Sequence, residues 1–68
     1  MAAYRMYLVG RAGRLKLGDA LQAGDDAEAI AAARARLPAG EAAELWAGGR
    51  IVGHFSRTGG FRTGHGES

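Results

Sequence analysis

The side chains able to make and break bonds gather late in the chain: His54, Ser56, Thr58, Thr63 and His65. Nucleophilic catalysis needs a hydroxyl or thiol held against a base that a third group orients. "SRTGGFRTGHGES" is rich in glycine and poor in apolar residues, so nothing in it holds such a geometry, and the chain is not expected to be an enzyme. His54 reads as an ordinary strand residue. A zinc site is equally unpromising, because there is no cysteine and the two histidines would need carboxylates at unsuitable spacing. "GGFRTG" resembles a phosphate loop only superficially, since such a loop opens a helix and no helix-forming stretch follows it. The paired carboxylates Asp25 and Asp26 have a structural use at a helix start. No cofactor is implied.

Sixty-eight residues allow one domain, and domains of this size bury only about 60% of their unfolded surface, which leaves them marginal. Without cysteine, self-association or an unusually well-packed core is left as the supplement. The apolar fraction is 47%, but fifteen of those residues are alanines, which contribute little area each.

The net charge of +2 conceals a split. Residues 1–18 carry four cations and no acid (+4), residues 19–49 six acids and two cations (−4), and residues 50–68 three cations and one acid (+2). That pattern fits a dipolar folded surface better than a dedicated polyanion binder. Arginine outnumbers lysine eight to one; with abundant Ala and Gly, this points to a GC-rich genome. The apolar run in "MAAYRMYLVG" is too short for a signal peptide. No stretch approaches the ~20 apolar residues of a membrane span. A cytoplasmic location is expected.

"YRMYLVG" reads as a strand that ends in a turn at "GRAG". "RLKLGDALQA" alternates Leu15 and Leu17 with Arg14 and Lys16, the pattern of a half-buried edge strand. "GDDAEAIAAARARLPAG" changes period: Asp25 is an N-cap, Glu28 completes a capping box, and Asp26 favours the positive end of the helix dipole. Ile30, Ala33 and Leu37 recur on one side, and Pro38 and Gly40 end the helix. "ELWAGGRIVGHF" reads as a hairpin about Gly48-Gly49, pairing Ala47 with Arg50, Trp46 with Ile51, Leu45 with Val52 and Ala43 with His54.

The expected fold is α+β in the order ββαββ: a four-stranded, mainly antiparallel sheet with one helix on one face. It spans residues 1–55, with 56–68 a flexible Gly/Arg-rich tail. In this register Ala43, Leu45, Val52 and His54 face the helix. The other face holds Glu44, Trp46, Ile51, Gly53 and Phe55, with Arg5, Tyr7 and Val9 of the first strand, and one short helix cannot cover it as well.

"YRMYLVGRAGRL", "AGDDAEAIAAARA" and "ELWAGGRIVGHF" together resemble a group of short, uncharacterised alphaproteobacterial proteins. The likeness covers residues 4–55 and is most specific at Glu44-Leu45-Trp46 with Arg50 and Val52. It implies the ββαββ layout and carries no function.

Two functions follow from the uncovered face. The first is a non-enzymatic module that homodimerises or binds another protein through Tyr7, Val9, Trp46, Ile51 and Phe55, because apolar patches of several hundred Å² mark interaction sites. The alternative is binding of RNA or a single strand by charge and stacking, using Arg5, Tyr7, Trp46, Arg50, Arg57 and Arg62. Against it, the second helix and clustered strand aromatics of an RNA-recognition sheet are absent.

Overall fold

The computed structural model describes residues 2–10 and 13–64. Its elements are β1 (Ala2–Val9), β2 (Leu15–Ala23), α1 (Asp26–Arg36), β3 (Ala42–Ala47), β4 (Arg50–Phe55) and β5 (Phe61–Thr63). All pairings are antiparallel, in the order β2-β1-β3-β4-β5. The α+β class and the single helix agree with the expectation. The sheet has five strands rather than four, because residues 61–63, expected in a flexible tail, pair with β4. Residues 65–68 of that tail, His65 among them, lie outside the described residues.

The helix starts as its residues dictate. Asp25 accepts the Glu28 N–H at 2.9 Å, and the Glu28 carboxylate takes the Gly24 N–H in return. Asp26 and Glu28 stand in the first turn and Arg34 and Arg36 in the last, each sign at the end of the helix dipole that favours it. Its inward side is centred on Ala29 and Ala33, both fully buried, with Ile30 and Leu37 at the margin. This differs from the expected Ile30/Ala33/Leu37 stripe. Alanines let the helix approach the sheet closely, so the bulk of the core comes from sheet residues, Phe55, Met6 and Leu45. Arg34 extends over the Phe55 ring, its guanidinium carbon 5.8 Å from the centroid.

A polar clip ties the helix start to the sheet. The Tyr4 hydroxyl donates to Asp26 Oδ1 at 2.7 Å, and Arg50 binds the same carboxylate through two N–H groups at 3.1 and 3.2 Å. These bonds to Arg50 and Tyr4 hold the Asp26 carboxyl below its usual range. The bond to Asp26, with some desolvation, raises Tyr4.

Two irregularities decide which side chains face which way. Between β1 and β2, Arg5 lies opposite Ala20 and Tyr7 opposite Leu17, so Gly18 and Asp19 together oppose Met6. Between β3 and β4, Leu45 lies opposite Gly53 and Trp46 opposite Ile51, leaving Val52 as the extra residue. Each is a β-bulge, and each reverses the facing of its strand beyond it. In β2, Leu15 and Leu17 point away from the helix whereas Leu21 and Ala23 enter the core. In β4, Ile51 points away, and Phe55 turns inward opposite Ala43 and is buried. The regular register expected for the hairpin, with Leu45 on Val52 and Ala43 on His54, is thereby corrected: His54 faces away from the helix, opposite Glu44.

The first bulge needs a glycine for room, and a glycine inside the second lets β5 approach. A Cβ on Gly18 would lie 2.6 Å from the Met6 carbonyl oxygen. On Gly53 it would lie 2.2 Å from the Phe61 ring and 2.5 Å from the Arg62 carbonyl oxygen. Phe61 occupies that space and meets Phe55 with ring centroids 4.8 Å apart. β5 is therefore anchored by an aromatic ring seated on a glycine.

Gly53→Ala should lower stability by about 1–3 kcal/mol, the usual cost of forcing atoms into a packed site. Urea unfolding would show a lower midpoint at unchanged slope; an unchanged midpoint would contradict the close approach. Asp26→Asn tests the clip. Because the native Asp26 pKa is lowered, its contribution is present above the ordinary aspartate range and is lost as pH falls through the lowered value. The variant should therefore be less stable than wild type at neutral pH, with the gap closing in acid. A gap that stays constant in acid would show that the charge is not what matters.

Candidate interaction face

The register lays out the face turned away from the helix in rows across the strands. One row runs Leu17, Tyr7, Glu44, His54, Arg62. The next, toward the β3–β4 turn, runs Ala20, Arg5, Trp46, Ile51. On the other side lie Leu15, Val9 and Ala42. Leu15 and Leu17 are 52% and 61% exposed, the large apolar residues most open to water among those described. Tyr7, Val9, Trp46 and Ile51 are half-buried.

Of the five residues expected at a protein interface, Tyr7, Val9, Trp46 and Ile51 share this face. Phe55 does not, because the bulge at Val52 turns it into the core. The six expected for nucleic acid separate further. Arg5, Tyr7, Trp46 and Arg62 lie on the open face. Arg50 is committed to Asp26. Arg57 stands in the β4–β5 turn, beside Arg34 and Leu37 at the end of the helix.

Glu44 is the centre of the polar part. Its side chain is 21% exposed; one carboxylate oxygen accepts the Trp46 indole N–H at 3.1 Å, and the other lies 3.6 Å from His54 Nδ1. That bond holds the indole beside Glu44 on the open face. Beyond Glu44 the surface dips. A groove of about 500 Å³ lies over Ala42 and Ser56, bordered by Val9, His54 and Arg62. Its floor is low because Ala42, Ser56 and Gly60 are small. The face thus has a ridge of leucines at its β2 side and a hollow at its β4–β5 side.

Sequence reasoning placed Glu44 on this face but missed Leu15, Leu17 and His54 as members of it. A signal was present: Gly18 and Gly53 interrupt strands that otherwise alternate, and a glycine inside a strand pattern marks a bulge or a close backbone approach. The free edges are poor alternatives for association. β5 is three residues long, and β2 carries a bulge and Lys16, features that keep edges from pairing.

No protein-family model, no curated protein and no solved structure matches this chain. No helix among the described residues is long and apolar enough to cross a membrane, and among them no three His, Cys, Asp or Glu side chains converge as a metal set would.

Proposed function

We propose that the chain is a small, non-enzymatic, cytoplasmic interaction module that associates with a second copy of itself through the open sheet face. The observation that carries this is the coincidence of Leu15, Leu17, Tyr7, Val9, Trp46 and Ile51 on the side of the sheet that the helix does not cover. The four long strands, about 4.8 Å apart and about 20 Å long, give a flat footprint of about 380 Å². Side-chain relief raises the accessible area toward the roughly 800 Å² per partner of a standard interface. That is under a fifth of the molecule's 4453 Å² surface. A second copy needs no other chain and adds burial to a thin, alanine-rich core.

Leu17 supplies a clean test, since a residue 61% exposed can change without disturbing the core. Leu17→Glu should fold like wild type by circular dichroism yet sediment as a monomer at concentrations where wild type sediments as a dimer. A variant with unchanged mass, or a wild type that is monomeric up to millimolar concentration, would defeat the reading.

A second reading has one observation in its favour: Arg5, Arg62, Tyr7 and Trp46 share the face, as a single-strand platform would require. It predicts binding to single-stranded RNA or DNA that weakens steeply with salt, and a loss of about 1–3 kcal/mol for Trp46→Ala. No binding at low salt would dismiss it.

A further inference from the structure

The ridge and the hollow lie on the same face, at similar levels along the strands, on opposite sides of its centre. We propose that two copies stack face to face about a twofold axis parallel to the strands and passing between β1 and β3. The proposal rests on the self-association argued above and gives it a geometry. Rotation about that axis sets β1 on the second copy's β3 and β2 on its β4, keeping levels along the strands. The two sheets are then aligned, the common arrangement of stacked sheets once their twist is allowed for.

The residues brought together are chemically matched. Tyr7 comes over Glu44 of the second copy, where its hydroxyl can donate to a carboxylate that already holds the Trp46 indole N–H. Arg5 comes over the second copy's Trp46, bringing a cation to an indole. Leu17 covers His54, Ala20 meets Ile51, and Leu15 enters the groove floored by Ala42 and Ser56. Every contact occurs twice. Arg62, on β5, overhangs the second copy's β2 edge and stays in water.

The other simple twofold is much worse. An axis running across the strands along the Tyr7–Glu44 row would set Glu44 on Glu44 and His54 on His54. Each carboxylate would lose water against its own like charge, and Leu15 and Leu17 would miss the groove. The distribution of charge along the central row, with one acid beside a tyrosine on the neighbouring strand, selects the axis parallel to the strands.

The chain has no cysteine, so introduced thiols report the geometry directly. Within one copy, positions 17 and 54 are three strand spacings apart, about 14 Å. Across the proposed interface they face each other. Facing positions of stacked sheets lie about 10 Å apart, beyond direct disulfide reach, so the double variant Leu17→Cys/His54→Cys, treated with a short bismaleimide that spans this gap, should run as a covalent dimer on a denaturing gel. Either single variant, and the pair Leu15→Cys/Ile51→Cys, should stay uncrosslinked. If the double variant sediments as a dimer but does not crosslink, this stacking is wrong while self-association through the face stands. If wild type is monomeric at every concentration, both fall.

Discussion

Two bulges, one at Gly18-Asp19 opposite Met6 and one at Val52 opposite the Leu45–Trp46 step, govern this molecule. Each lets an extra residue enter a strand, and each extra residue exchanges the sides of the sheet for everything beyond it. Without the first, Leu15 and Leu17 would share a face with Leu21. Without the second, Phe55 would share one with Ile51 and leave the core. The division of apolar residues between a covered and an uncovered face is thus set by two bulges, which strict alternation does not register.

The covered side is economical. The helix presents Ala29 and Ala33, so it lies close to the sheet and leaves the filling of space to Phe55, Met6 and Leu45. Its start is held by the Asp26 carboxylate, which Tyr4 and Arg50 approach from two different strands. Phe61 closes the β5 side by occupying the space that a side chain at Gly53 would need. With one helix so employed, no element among the described residues covers the opposite face. The groups on it are nonetheless ordered: Glu44 positions the Trp46 indole, and small residues beside it leave a hollow.

Much of this was legible in the residues. Asp25 and Glu28 mark the helix start, Gly48-Gly49 the hairpin turn, and Trp46, Ile51, Tyr7 and Val9 the uncovered face, because each signal is local. What local alternation misreads is facing beyond a bulge. Phe55 sits four residues from Ile51, so strict alternation places the two together, and the intervening Val52-Gly53 separates them. β5 was illegible for a related reason. Phe61 is a lone aromatic among glycines, and its stabilising partners, Gly53 and Phe55, become neighbours only after β4 is in place. The Arg50–Asp26 pair joins residues 24 positions apart, beyond the reach of any spacing rule.

The central claim, that a bulge at Val52 divides β4 between the two faces, is tested most directly by cross-strand backbone NOEs in the hairpin. The bulged register predicts that Ala43 contacts Phe55 and Glu44 contacts His54, with Val52 lacking a partner of its own on β3. Contacts from Ala43 to His54 and from Leu45 to Val52 would show a regular hairpin and contradict the account.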